Sequence, residues 1–191
     1  MKYYAAQVQT LREDACIERI IKQLHGRQDK QHFFFPKRRL SIRRGGKRIT
    51  ELQPIFPGYI FVETEDMDFE LISIMRAAPL FYRFLKSNQE ITPLQGSDLQ
   101  ILKHFLDFGP VAEISKVYFD ENDRIVVTEG PLAGLEGSII RVDKRKQRAK
   151  VQLDFANNAL TIDLSFTVIH KTGARGPAAE AQEKSHYDVS R

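Results

Sequence analysis

Phe56-Pro57-Gly58-Tyr59-Ile60-Phe61-Val62 is the stretch on which the fold turns. Pro57-Gly58 punctuates the backbone, because Pro presets φ and Gly takes geometries that other residues avoid. The aromatic and β-branched residues that follow suit a pleated strand. Tyr59 and Phe61 lie on one face of that strand, Ile60 and Val62 on the other, and both faces are apolar. Such a strand is either sandwiched between two layers or offers one face to a partner. The residues alone leave both open.

Outward from this strand the chain reads as α+β. Upstream, Tyr3 to Val8 reads as a first strand. Thr10-Leu11-Arg12-Glu13 has the form of a capping box. Ile17, Ile20, Ile21 and Leu24 then share one helix face, and Gly26 is placed to end the helix. Phe33-Phe34-Phe35 opens a second strand. Lys37 to Arg48 carries seven basic residues and no acid, and Gly45-Gly46 marks a hairpin tip within it. Downstream, a helix is expected over Asp66 to Met75, capped by Asp66, with Phe69 and Ile72 inward and Leu71 and Met75 as further inward residues. A strand over Leu80 to Leu85, a turn at Ser87-Asn88-Gln89 and a helix from Ser97 complete the unit, and Gly109-Pro110 stops that helix. The order strand, helix, strand, strand, helix, strand, helix predicts a compact α+β domain over residues 1–109.

Residues 110–122 read as a linker. Short strands then recur at Arg124 to Thr128, Gly137 to Val142, Ala149 to Leu153 and Leu160 to Leu164, with turns at Gly130-Pro131, Lys144 to Gln147 and Asn157-Asn158. This spacing predicts a small all-β barrel over residues 123–171. Residues 172–191 have almost no apolar content and read as a disordered tail.

Composition narrows the function. The hydrophobic fraction of 42% across 191 residues is that of a globular chain. The net charge of +4 is small, so the placement of charge matters more than its sum. The lone Cys16 excludes an internal disulfide framework and fits a reducing cytoplasm. No apolar run approaches the roughly 18 residues of a membrane span, and no signal segment leads the chain. The histidines show no metal-ligand spacing. Nucleophile elbow, phosphate loop and dinucleotide fingerprint are all missing, so no enzyme, metal or other cofactor is expected.

Binding chemistry is better represented. Arg43, Arg44 and Lys47 sit about the tip of the first basic hairpin. A second basic run, Arg141, Lys144, Arg145, Lys146, Arg148 and Lys150, is opposed only by Asp143. Either could be a solvated turn. Two acid-poor basic hairpins in one chain favour a polyanion such as nucleic acid. They carry no sequence specificity, because phosphate contacts position a protein while base-edge contacts specify.

With these residues in view, the chain resembles the NusG family. Phe56 to Val62 is similar to the signature of the family's amino-terminal (NGN) domain, and Tyr3 to Thr10 fits that domain's beginning. Val126 to Ile139, with its spaced glycines, resembles a KOW motif. The resemblance covers nearly all of residues 1–171. It implies a cytoplasmic, monomeric transcription elongation factor whose first domain docks on the clamp helices of RNA polymerase. By motif the docking residues are Tyr59, Phe61 and Phe84, with Phe81 beside them. Arg12 and Arg76 are the implied contacts to upstream DNA. Asn157 to Phe166 and Phe35-Pro36-Lys37-Arg38-Arg39 resemble the LoaP-type specialised paralogues. That likeness implies processive antitermination recruited by an RNA hairpin in the nascent leader. The alternatives are a housekeeping NusG whose KOW domain binds Rho or a ribosomal protein, and a ribosome-associated RNA-binding protein.

Overall fold

The computed structural model describes residues 1–24, 32–85 and 90–169. The expected helix stop at Gly26, the turn at Ser87-Asn88-Gln89 and the tail over 172–191 lie outside the described residues. The first sheet has four strands: β1 (Lys2–Val8), β2 (His32–Phe34), β5 (Tyr59–Thr64) and β6 (Phe81–Phe84), in the order β2-β5-β1-β6. β1 is central and antiparallel to β5, with Ala5 opposite Phe61 and Ala6 opposite Ile60. A three-stranded sheet has the order β4-β3-β7 and holds the first basic hairpin, β3 (Lys37–Arg44) with β4 (Lys47–Pro54). At its tip Gly45 and Gly46 both have positive φ, as a two-residue type I′ turn requires. Its third strand, β7 (Val111–Ala112), pairs in parallel with Lys37 and Arg38.

The remaining strands form a five-stranded sheet: β8 (Ser115–Phe119), β9 (Ile125–Glu129), β10 (Ile139–Asp143), β11 (Arg148–Phe155) and β12 (Asn158–Val168), in the order β10-β11-β12-β8-β9. The expected linker is therefore not irregular, since β7 and β8 both lie within it. β7 depends on a parallel partner distant in sequence, β3, and β8 joins β12 in parallel as well as forming a hairpin with β9. Local pattern cannot reveal such pairing. The turn between β11 and β12 falls at Ala156-Asn157, both at positive φ, one residue earlier than the expected Asn157-Asn158. Lys150 is consequently opposite Asp163.

Among the described residues three α-helices flank these sheets. α1 (Glu13–Gln23) and α2 (Phe69–Ala77) pack on one face of the four-stranded sheet, where Cys16, Ile17, Ile20, Leu71 and Met75 meet Tyr4, Ala6, Val8, Ile60 and Val62. α3 (Gly96–Leu106) packs on the other face through Leu102 and Phe105. The five-stranded sheet covers that same face. Phe155, Leu153, Ile162, Leu164 and Phe166 share one core with Ala5, Phe56, Phe61, Leu102 and Phe105. The order of layers is α1 and α2, four-stranded sheet, then α3 with the five-stranded sheet.

Two helix starts differ from the sequence reading. Thr10 does not cap α1. The residue before the helix is Arg12, and no side chain caps it. Glu13 instead turns inward, is buried, and accepts a hydrogen bond from Gly58 N at 2.7 Å. α2 begins three residues late, with Asp68 rather than Asp66 accepting from Leu71 N at 2.8 Å. That phase turns Phe69 outward, 84% exposed, and buries Leu71 and Met75.

Candidate functional site

The Pro57-Gly58 turn fixes the register of the aromatic strand. Gly58 has φ +81°, a conformation that costs L residues roughly 1–2 kcal/mol. Its carbonyl accepts from Val8 N at 2.8 Å while its N–H donates to Glu13. With this turn pinned, β5 divides by parity. Ile60 and Val62 face α1 and α2; Phe61 is fully buried on the opposite face, and Tyr59 is half-buried beside it.

That opposite face is a continuous aromatic surface. Phe61 stacks on Phe34 with centroids 5.7 Å apart and meets Phe56 edge-on at 5.4 Å. Phe155 of β11 is seated on it, 4.7 Å from Phe56, 5.3 Å from Tyr59 and 5.9 Å from Phe61. Aromatic pairs at these spacings are worth about 0.5–1.5 kcal/mol each beyond burial. Polar contacts fasten the same seam. Ala156 N donates to Asp98 Oδ1 at 2.9 Å, and His104 Nε2 lies 3.0 Å from the Pro131 carbonyl. Ser41 N donates to Ser165 Oγ at 3.0 Å, and Arg148 Nε donates to the Ser41 carbonyl at 3.1 Å. Burial and the nearby Asp98 carboxylate raise the Tyr59 hydroxyl above its ordinary value, with Arg83 opposing them.

Not every expected aromatic joins this surface. Phe84 is opposite Ala6 in register and lies fully buried among α1 and α2. Phe81 packs against that same core, 5.0 Å from Phe84. Both are on the helix-bearing face, away from Tyr59 and Phe61. Phe56 and Phe155 were missed by the sequence reading. Phe56 precedes the turn and has no strand parity, while Phe155 lies beyond the strand expected over Ala149 to Leu153. Gln7 and Arg83 also flank Tyr59, with Arg83 Nε donating to Gln7 Oε1 at 2.9 Å.

The basic candidates fall into three groups. Arg12 and Arg76 are exposed on the helix-bearing side, the Arg76 guanidinium lying 6.0 Å from the Phe84 ring centroid. Arg43, Arg44 and Lys47 are exposed about the tip of the first hairpin. The third group surrounds the β10–β11 turn. There Arg141 and Arg145 are exposed, and Lys146 lies 3.8 Å from Asp143. Lys144 pairs with Asp123 and lies over the Phe119 ring at 4.1 Å. Lys150 pairs with Asp163 at 3.4 Å, and Arg148 lies 4.0 Å from the same carboxylate. Arg38, on the same strand as Arg43, is buried. It donates to the Pro54 carbonyl and to Gln53 Oε1, and burial lowers its guanidinium to about 10. Among the described residues no group of His, Cys, Asp and Glu could hold a metal ion, and no helix is long and apolar enough to cross a membrane.

These features define an α+β unit with a divided aromatic strand, joined to a smaller all-β unit with a basic turn. The family described as "Transcription termination factor nusG" matches residues 1–103, more than half of the chain. The chain belongs to the NusG family. It is similar to the transcription termination/antitermination protein NusG of Thermus thermophilus, 24% identical over 185 residues, covering 90% of this chain and 98% of that protein. The protein of the same name from Neisseria meningitidis is 24% identical over 162 residues, covering 81% of this chain and 89% of that protein. A solved structure titled "Domain interaction in Thermotoga maritima NusG" aligns with a TM-score of 0.49 at 20% identity, covering 86% of this chain and 93% of that one.

Proposed function

We propose that this chain is a transcription antitermination factor that docks on RNA polymerase through Tyr59, Phe61 and the rings around them, and that binds RNA through the β10–β11 turn. The five-stranded sheet is read as a KOW-type barrel and the preceding unit as an NGN domain. The carrying observation is the division of β5: one face is needed for the fold, and the other is apolar and covered by α3 together with the five-stranded sheet, a distant part of the same chain. Within that shared core the five-stranded sheet seats one ring, Phe155, directly among Phe56, Tyr59 and Phe61, and lifting that ring away exposes a ready aromatic surface. No chemistry is performed. Such a factor acts by binding one state of the polymerase better than another.

The test is Phe155→Asp in the full chain, checked for folding by circular dichroism. A carboxylate cannot remain among Phe56, Tyr59 and Phe61 unsolvated. Polymerase affinity should rise by roughly tenfold as the docking-competent fraction increases. Adding Tyr59→Ala should then remove about 2 kcal/mol, the scale of an interface hot spot. A folded Phe155→Asp protein with unchanged or weaker polymerase binding overturns the assignment of the face.

The LoaP-like reading, in which an RNA leader hairpin recruits the factor, is favoured over a housekeeping role by the cation density at the turn. Arg141, Arg145 and Arg43 have no carboxylate partner among the described residues. Arg12 and Arg76, exposed on the helix side, remain the proposed contacts to upstream DNA.

A further inference from the structure

The two basic hairpins, separated by about a hundred residues of sequence, meet at the seam between the two units. A cleft of about 440 Å³ opens there, lined by Ser41, Ile42 and Arg43 of β3 and by Arg145, Lys146 and Arg148 of the β10–β11 turn. Four of its six lining residues are cations and none is an acid. A second cleft of about 220 Å³ shares Lys146 and Arg148 with it and adds Arg141 and Lys150. The acids of this second cleft, Asp143 and Asp163, are already engaged by Lys146, Lys150 and Arg148. The seam is clipped at this point, because Arg148 donates to the Ser41 carbonyl and Ser41 N donates to Ser165.

Drawing Arg43 toward Arg145 and Arg148 brings like charges together, with the buried Arg38 guanidinium close behind. Asp163 beside Arg38 and Arg148 offsets part of this repulsion, and the remainder favours a bound anion. Two clefts in series lined by Arg and Lys suit consecutive phosphates on one strand, and neither is lined by an aromatic ring on which a base could stack.

We infer that the paired clefts form a composite site for the phosphodiester backbone of an RNA strand, gripped by both units at once and complete only while they are closed together. This deepens the proposed function and rests on its reading of the β10–β11 turn as an RNA-binding element. A ligand that touches both halves binds the closed arrangement better than the open one. Because closure covers Tyr59 and Phe61, polymerase docking and the two-sided grip oppose each other; docking releases the Arg43 half and leaves the RNA on the β10–β11 turn. By linkage the opposition is reciprocal.

The test measures binding of a fluorescent single-stranded oligouridine RNA to the full chain, by anisotropy at several salt concentrations. Three single variants are compared: Arg145→Glu on the turn, Arg43→Glu on the other hairpin, and Phe155→Asp, which opens the seam. Arg145→Glu and Arg43→Glu should each weaken binding by roughly tenfold, the scale of one charge-assisted contact. Each should also flatten the salt slope by about 0.7, the single-strand value for one phosphate. In the Phe155→Asp background, Arg43→Glu should have no further effect, since the opened chain no longer presents Arg43 beside the turn. Loss of binding with Arg145→Glu alone, with Arg43→Glu and Phe155→Asp silent, overturns the composite site and leaves the turn as the RNA element. Binding unaffected by all three variants overturns both.

Discussion

Glu13 accepts the Gly58 N–H at 2.7 Å inside the protein, so the first residue of α1 holds the turn that sets the register of β5. Glu13→Ala leaves a buried donor without a partner and should cost about 2 kcal/mol. Glu13→Gln keeps an acceptor in place and should cost less. Urea unfolding of the two variants separates the need for an acceptor from the need for a charge. Equal losses would show that a neutral acceptor does not serve and that the carboxylate's charge holds the turn.

Gly58→Ala tests the other side of the same turn. The new Cβ would lie 2.8 Å from Thr10 Oγ1 and 3.4 Å from the Val8 carbonyl, at a φ of +81°. Backbone strain alone costs about 1–2 kcal/mol, and the clash adds to it. Adding Thr10→Ala should recover the clash but not the strain, so the double variant should lie between Gly58→Ala and the parent in chemical unfolding. Full recovery would mean that the positive φ is not a constraint.

The parity of β5 was legible because alternation of period two is local, and the structure puts Ile60 and Val62 where that alternation puts them. The capping reading of Thr10 to Glu13 failed because a buried backbone donor 45 residues away outcompeted the helix end for the carboxylate. The β11–β12 turn was misplaced because Ala156, with no sequence signal for positive φ, occupies its first position. That one-residue error would have set Lys150 opposite Ser165 instead of Asp163. The seat of Phe155 on Phe56 and the meeting of the two basic hairpins were beyond local reading, since both are made by tertiary contacts between distant segments. Phe84 was carried over from a motif, and register with Ala6 puts it on the other face.

The phase of α2 gives a sharp contrast between neighbours. Phe69 is 84% exposed, while Leu71 is 1% exposed. Phe69→Ser should change stability by less than about 0.5 kcal/mol. Leu71→Ala should cost about 2–5 kcal/mol through lost burial and the cavity left behind. Thermal or urea unfolding of both variants checks the helix phase, and a large loss at Phe69 would restore the capping by Asp66.

Asp98 is a latch between α3 and the β11–β12 turn, through the Ala156 N–H. Both Asp98→Ala and Asp98→Asn remove the negative charge from the first turn of α3, but only the alanine removes the acceptor. Asp98→Ala should therefore loosen the seam by about 1–2 kcal/mol more than Asp98→Asn does. Faster hydrogen exchange at Ala156 and tighter polymerase binding should appear together in the alanine variant. Faster exchange without any gain in polymerase binding would separate the seam from the docking face.

Cys16 is fully buried in α1, and burial pushes its thiol from 9.0 up to about 11, with Arg19 pulling weakly the other way. Between these values the unfolded chain has lost the proton that the folded chain retains. The unfolded state therefore binds fewer protons there, and stability falls as pH rises. The contribution is fully present below about pH 9 and is lost toward pH 11, with a slope of at most about 1.4 kcal/mol per pH unit. Cys16→Ala lowers stability at every pH by leaving a small cavity, but it lacks this alkaline decline. Urea unfolding of both proteins at pH 8, 9 and 10 (ordinary lysine and tyrosine titration being common to the two) should show the parent losing stability faster than the variant. Parallel curves would mean that the thiol titrates in the folded protein as it does in the unfolded chain, and that α1 does not shield it.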